Sequence, residues 1–251
     1  MKSLILLDLT LPTPAENLAC DEVLLDGCES AGGEGLLRFW EPQEYFVVVG
    51  YGNAVAAEVN VEACRELGVP ILRRCSGGGT VLQGPGCLNY ALVLEIGDSG
   101  PLRTIAAANR FIMERNRGVL DAVLQRRSGT ERPQAGITVQ GHTDLAIGGR
   151  KFSGNAQRRR KTFLLFHGTF LLRFDLERVA CLLPMPTRQP AYRKNRLHGD
   201  FLTNLGMSAG DVKEALREAW QAAASANAVP RETISALARD KYVTTEWIHR
   251  F

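Results

Sequence analysis

The order of apolar runs predicts an α+β chain: a mixed, largely antiparallel sheet flanked by helices, with a helical C-terminal appendage. Strand-like runs come in adjacent pairs, at 36–40 with 45–49 and at 137–140 with 144–147, and adjacency favours antiparallel pairing. A single long helical stretch at 101–127 stands among them, too few crossovers for a doubly wound parallel sheet. The 251-residue length allows one large domain with a small extension. The division expected is a main domain over 1–200 and a helical extension over 201–251 packed on it.

The first apolar run, 2–9, reads as a strand. Thr13-Pro14-Ala15-Glu16 then forms a capping box with proline at the first helical position. The helix it opens runs to about Cys28, burying Leu18, Val23 and Leu24 or Leu25, and the Gly32-Gly33-Glu34-Gly35 cluster ends it. The runs 36–40 and 45–49 read as paired strands, the second closing on Gly50-Tyr51-Gly52-Asn53. Residues 59–67 suit a short helix with Gly68 just past its end. A strand then feeds a glycine-rich stretch, and 88–94 forms the next strand.

Within 101–127, Ile105, Ala108, Ile112, Val119, Leu120 and Val123 recur at helical spacing, with Gly118 marking a bend or short break. Strands at 137–140 and 144–147 lead through Gly148-Gly149 into 150–154, a hairpin signal. Strand 163–174 carries His167-Gly168-Thr169 at its centre. Beyond Asp175 the pattern turns helical: Val212, Ala215, Leu216, Ala219, Trp220 and Ala223 make one amphipathic face. Pro230 opens a further helix to about Asp240.

An apolar fraction of 45% and a charged fraction of 23% exclude disordered and fibrous classes. The net charge of +3 argues against a general nucleic-acid coat. No apolar run reaches the roughly 18 residues that span a bilayer, and the Met1-Lys2 start lacks a signal-peptide pattern. The cysteines at 20, 28, 64, 75, 87 and 181 form no C-x-x-C and no metal spacing, and unpaired thiols suit a reducing cytoplasm.

Three stretches could carry chemistry. Residues 72–90, LRRCSGGGTVLQGPGCLNY, set Gly77, Gly78 and Gly79 beside Arg73 and Arg74, which favours close backbone approach to a phosphate or carboxylate. The same cluster is compatible with a plain turn. It is neither a P-loop, lacking G-K-[ST], nor a dinucleotide fingerprint. Second, Gly149-Arg150-Lys151-Phe152-Ser153-Gly154-Asn155-Ala156 puts a lysine in the return strand of a tight hairpin, where it is either solvated or suited to an oxyanion. Third, Arg126-Arg127 and the run from Arg158 to Lys161 are solvated charge or phosphate contacts. A nucleic-acid binder built on them would lack interleaved aromatics.

The strings R-R-C-S-G-G-G-T-V-L, then D-L-A-I-G-G-R-K-F-S-G-N-A-Q-R, then H-G-T-F-L-L, in that order over residues 4–175, resemble the lipoate–protein ligases of the biotin/lipoate ligase superfamily. The resemblance implies that superfamily's catalytic-domain fold over 1–200 and a two-step reaction. Lipoate and ATP, with Mg2+, give lipoyl-adenylate and pyrophosphate; a lysine of an acceptor lipoyl-domain protein then takes the acyl group as an amide. It also implies site residues. Arg74, Ser76, Gly77, Gly78, Gly79, Thr80, Val81 and Leu82 match the loop contacting nucleotide and acyl group. Lys151 matches the catalytic lysine that touches acyl carbonyl and phosphate, with Ser153 and Gly154 after it. Asn89, Asp144 and His167 fall on motif positions. No carboxylate cluster marks a metal site of the protein's own.

Two departures accompany the resemblance. Cys75 stands where serine is frequent, and no separate accessory domain follows the tail, so an accessory protein is a further expected partner. The rival within the superfamily is octanoyl transfer from an acyl carrier through a cysteine thioester without ATP. No cysteine lies between residues 88 and 180, which leaves Cys75 and Cys87 as its candidates. Biotin ligation, and a noncatalytic module that binds lipoyl domains, complete the alternatives.

Overall fold

The structure, a computed structural model, describes residues 3–128, 135–224 and 229–251. The Met1-Lys2 start and the Arg127 side chain lie outside the described residues.

Strand β1 (Leu4–Asp8) runs into α1 (Pro14–Ala31), whose Thr13 and Glu16 close a reciprocal capping box. Strand β2 (Leu36–Trp40) and strand β3 (Phe46–Val49) follow. They do not pair, contrary to the expectation from their adjacency. Every residue of both is buried. Each therefore becomes an inner strand with neighbours on both sides, β2 in one sheet and β3 in another. Two short helices, α2 (Val55–Glu58) and α3 (Val61–Glu66), lead to β4 (Ile71–Arg73), the glycine-rich loop and β5 (Val81–Gln83). These last two flank β3 to make the smaller, three-stranded sheet.

Strand β6 (Cys87–Glu95) re-enters the large sheet, and α4 (Ile105–Ser128) crosses it. Helix α4 continues unbroken through Gly118, so the expected bend is absent. Strands β7 (Ile137–Gln140), β8 (Asp144–Ile147), β9 (Arg150–Arg159) and β10 (Phe163–Leu171) are consecutive antiparallel neighbours. After α5 (Glu177–Leu182), α6 (His198–Phe201) and α7 (Ala209–Ala219), a strand β11 (Ala222–Ala224) lies parallel to β1. The tail therefore contributes a strand as well as helices. It closes with α8 (Arg231–Leu237), a π-helical turn over Ala238–Tyr242, and α9 (Thr245–Ile248).

The large sheet has eight strands in the order β11-β1-β2-β6-β10-β9-β8-β7, antiparallel except for the β11-β1-β2 edge. One face packs under α4 and α7 in a core holding Phe39, Tyr90, Phe152, Phe170 and Trp220. The other face meets α1 and the small sheet. On it the register aligns Trp40, Asn89, Thr169, Gly154 and Asp144 in one row, with Arg38, Ala91, His167 and Ala156 in the next. Partners directly opposite share a face, so this register decides which side chains meet.

Candidate active site

Between that face and the small sheet lies a cavity of about 290 Å³. Leu18, Trp40, Val48 and Val81 line one part of it, and Arg74, Lys151, Arg188 and Arg193 supply positive charge elsewhere. Only two of its lining residues, Asp21 and Asp144, are acidic. Such a cavity suits a molecule with an apolar tail and an anionic head.

The glycine loop forms one wall. Arg74 is buried, and its guanidinium donates to Ser76 Oγ at 3.1 Å, to the carbonyls of Gly77 and Gly79, and to that of Val48 at 3.4 Å. Arg74 thus folds the loop around itself. Burial lowers its pKa to about 10. Gly78 has a φ of +88°, a conformation that favours glycine, and a Cβ there would come within 2.9 Å of Arg74 Nη2. The neighbouring Arg73, wholly buried, donates to the carbonyls of Gly50, Tyr51 and Asn53 and, from the tail, of Trp247 and Ile248.

Behind the loop runs a buried polar chain. His167 lies 2.6 Å by Nε2 from Ser76 Oγ and 2.9 Å by Nδ1 from Asp21 Oδ2. A carboxylate only accepts, so Nδ1 carries a proton, and in the neutral ring Nε2 accepts from the serine hydroxyl. Asp21 Oδ1 in turn accepts from Arg38 Nη1 at 2.6 Å, and Arg38 Nη2 donates to Asn17 Oδ1. Burial pushes the Asp21 carboxyl up, but the bonds from His167 and Arg38 outweigh it and hold the pKa below the usual range.

The opposite wall is the β8–β9 hairpin, turned by Gly148 and Gly149 at φ +56° and +74°. Plain alternation would put Lys151 and Gly154 on opposite faces. The register slips between Leu145 and Ala146, so that Asp144 opposes Gly154 while Ala146 opposes Lys151. This β-bulge brings lysine to the cavity face, where Nζ pairs with Asp144 Oδ1 at 2.8 Å. Tyr192, from the segment before α6, donates to the other carboxylate oxygen at 2.8 Å.

Of the residues expected from sequence, Arg74, Gly78, Gly79, Thr80, Val81, Asn89, Asp144, Lys151, Gly154 and His167 line the cavity. Ser76, Gly77, Leu82 and Ser153 are not among the lining residues. Ser76 sits behind the wall holding His167, Gly77 offers its carbonyl to Arg74, Leu82 packs beneath the small sheet, and Ser153 is buried. Sequence reasoning missed Asp21, Trp40, Gln83, Thr169 and Tyr192. Alternation from His167 would have found Thr169; the others depend on contacts far apart in the chain.

Among the described residues no cysteine lines the cavity. Cys75 and Cys87 are buried, and burial raises both thiols to about 12. No group of three or more His, Cys, Asp or Glu among the described residues could hold a metal ion. No helix among them is long and apolar enough to cross a membrane.

The fold is a mixed-sheet α+β architecture with a cavity between its two sheets whose lining is part apolar and part cationic. The chain belongs to the lipoyl protein ligase A/B catalytic domain family, whose model matches residues 13–221. Full-length relatives named octanoyltransferase LipM come from Carboxydothermus hydrogenoformans (27% identical, covering 94% of this chain and 95% of that protein) and Geobacillus kaustophilus (28%, 93% of each). Among solved structures, a bi-partite lipoate protein ligase from Thermoplasma acidophilum superposes with a TM-score of 0.77 at 23% identity, covering 99% of this chain and 96% of that one. A lipoate-protein ligase A bound with ATP gives 0.75 at 24% identity, with 99% of each chain covered. The expected superfamily and fold therefore hold.

Proposed function

We propose that this chain activates lipoate, or a medium-chain acid of similar shape, with ATP and transfers the acyl group to a lysine of a lipoyl-domain protein. The observation that carries this reading is a cavity with Lys151 aimed into it by the bulge and no cysteine on its wall. In the first step a carboxylate oxygen bonds to the α-phosphorus of ATP and pyrophosphate leaves. In the second the neutral acceptor amine bonds to the acyl carbon, AMP leaves, and the nitrogen loses a proton to solvent. Both steps need cationic stabilisation of oxygen and neither needs a protein nucleophile. Lys151 suits that role, with Asp144 and Tyr192 fixing it, and the glycine loop supplies backbone beside the phosphate. Arg74 acts by shaping that loop. Magnesium would arrive on the nucleotide phosphates, since the described residues offer it no cluster of their own.

Octanoyl transfer is the second reading, favoured by the name of the full-length relatives. Its thioester route needs an accessible thiolate, against which stand the buried, raised thiols of Cys75 and Cys87. The deciding experiment incubates the purified protein with an apo lipoyl domain and weighs the acceptor. A lipoyl mass that requires ATP supports ligation; an octanoyl mass formed from acyl carrier without ATP overturns it. Adding a candidate accessory protein to the first arm tests whether the chain adenylates unaided.

A further inference from the structure

The hairpin that delivers Lys151 carries a mismatch in its two arms. From the Gly148-Gly149 turn to the pair of Asp144 with Gly154, β8 has four residues (144–147) and β9 has five (150–154), and Phe152 is left without an opposite. Sliding one arm by a residue would absorb that bulge, so the register holds only if both ends are fixed. At the turn, Arg196 donates to the Gly149 carbonyl at 3.0 Å, and the Thr203 amide donates to the Lys151 carbonyl at 2.9 Å. At the other end, one step beyond the Asp144 pair, Asn155 and Thr143 bond twice. Asn155 Nδ2 donates to the Thr143 carbonyl and Thr143 Oγ1 to the Asn155 carbonyl, each at 2.7 Å. Side chains thus continue the ladder where β8 ends.

Asn155 is itself held from beneath. It stands in a row with Phe39, Tyr90 and Gly168, on the face packed under α4. Its side chain crosses Gly168, where a Cβ would come within 1.7 Å of Oδ1, and accepts from the Tyr90 hydroxyl at 2.7 Å. The Tyr90 oxygen accepts from Asn116 Nδ2 of α4 at 3.0 Å, and Asn116 Oδ1 accepts from the Trp220 indole at 2.8 Å. Tyr90, Asn116 and Trp220 are each at most 1% exposed. The indole only donates, so Asn116 meets it with oxygen and meets Tyr90 with nitrogen. The one phenolic proton then goes to Asn155 Oδ1, which leaves the Asn155 amino group for the Thr143 carbonyl, an atom that only accepts. The two ends of the chain agree, and a single orientation of both amides satisfies it.

We propose that Asn155 is a positioning residue for Lys151. Its clasp on Thr143 fixes the far end of the hairpin, the turn fixes the near end, and the surplus residue between them has to bulge. That bulge keeps the lysine on the cavity face beside Asp144. The proposal rests on the role given to Lys151 above. Without the clasp, β8 is free to realign on β9, and Lys151 and Asp144 lose their fixed placement.

The test is a double-mutant cycle in pyrophosphate exchange, with Asn155→Ala, Lys151→Ala and the pair, run well below the melting temperature of each. Asn155→Ala should lower kcat about tenfold while the KM values for ATP and lipoate stay within about threefold, the split expected when a transition-state contact is misplaced. Tyr90→Phe, which removes only the support from beneath, should lower kcat less and in the same direction. In the Lys151→Ala protein, Asn155→Ala should lower kcat by no more than about twofold further, because the group it positions is gone. An equal factor in both backgrounds, or an earlier melt at full kcat, overturns the positioning role and leaves that of Lys151 standing. Should Asn155→Ala fail to fold, the same cycle with Tyr90→Phe decides. Near-normal exchange by Lys151→Ala overturns both roles. A wild type that exchanges no pyrophosphate yet transfers octanoyl from carrier overturns the adenylation reading, and the cycle read as octanoyl product then decides the positioning.

Discussion

Lys151 reaches the cavity only because one residue of β9 is unpaired, so its effect should be separable from stability. It is about a quarter exposed and pairs with Asp144 at the surface of the site, and Lys151→Ala should leave the melting temperature within a few degrees. Adenylate formation should fall at least a hundredfold, since one fixed donor to a developing oxyanion contributes about 3 kcal/mol. Near-normal exchange in that variant would remove the lysine from the mechanism. Asp21 behaves in the opposite way, because it neutralises the wholly buried Arg38. Asp21→Asn should cost about 3–5 kcal/mol in urea unfolding, the penalty for an uncompensated interior charge. The fold holds this carboxyl below its ordinary pKa of 3.8, so the charged form is the native one. Its stabilisation is complete above that value and is lost as pH falls through the lower native pKa. Urea midpoints measured down the acid limb should drop for the wild type and flatten for Asp21→Asn; parallel curves would show that another group controls the acid limb.

At the scale of elements, the sequence was most legible where local chemistry decides. The Thr13 capping box, the Gly148-Gly149 hairpin and the face of α7 through Ala219 stand as expected, whereas Ala223, expected on that face, lies exposed in β11. The pairing of β2 with β3 failed because nearness in sequence was weighed above burial, and two strands buried along their whole length each require two neighbours. The Gly118 break failed because a 24-residue helix packed on β7 and α7 absorbs one unfavourable residue. A Cβ at Gly118 would meet nothing within 4 Å. Gly118→Ala should therefore stabilise the protein by about 0.5–1 kcal/mol, read as a higher urea midpoint. A destabilised variant would mean that the glycine serves a conformation other than the helix. Within the site, motif order found Lys151 and the glycine loop, whereas the bulge left no mark in the residue pattern and Gln83 gave no sign of meeting Thr169.

Across the whole molecule, the tail is joined to the site through Arg73. That side chain has no carboxylate partner among its hydrogen bonds; backbone carbonyls from the 50–53 turn and from α9 surround it, and Trp247 Nε1 returns a bond to the Arg73 carbonyl at 2.9 Å. Lys241 and Tyr242 also donate to Glu22 of α1. Trp247→Ala should cost about 3–5 kcal/mol by the general rule for buried aromatics. It should also speed amide hydrogen exchange at residues 76–80 well beyond that at β6, and equal acceleration in both places would show that the tail stabilises the fold without ordering the loop. Nothing in the sequence announced this joint, because a pairing across 174 positions has no local signature.

That separation also orders events during synthesis. At about 5–20 residues per second, the ribosome adds the 174 residues between Arg73 and Trp247 in roughly 10–35 s. For that time the guanidinium of a nascent β4 can meet the turn at 50–53 but not α9, and β1 waits similarly for β11. The glycine loop is thus among the last parts of the chain to take its final shape, although it is translated well before the tail that fixes it.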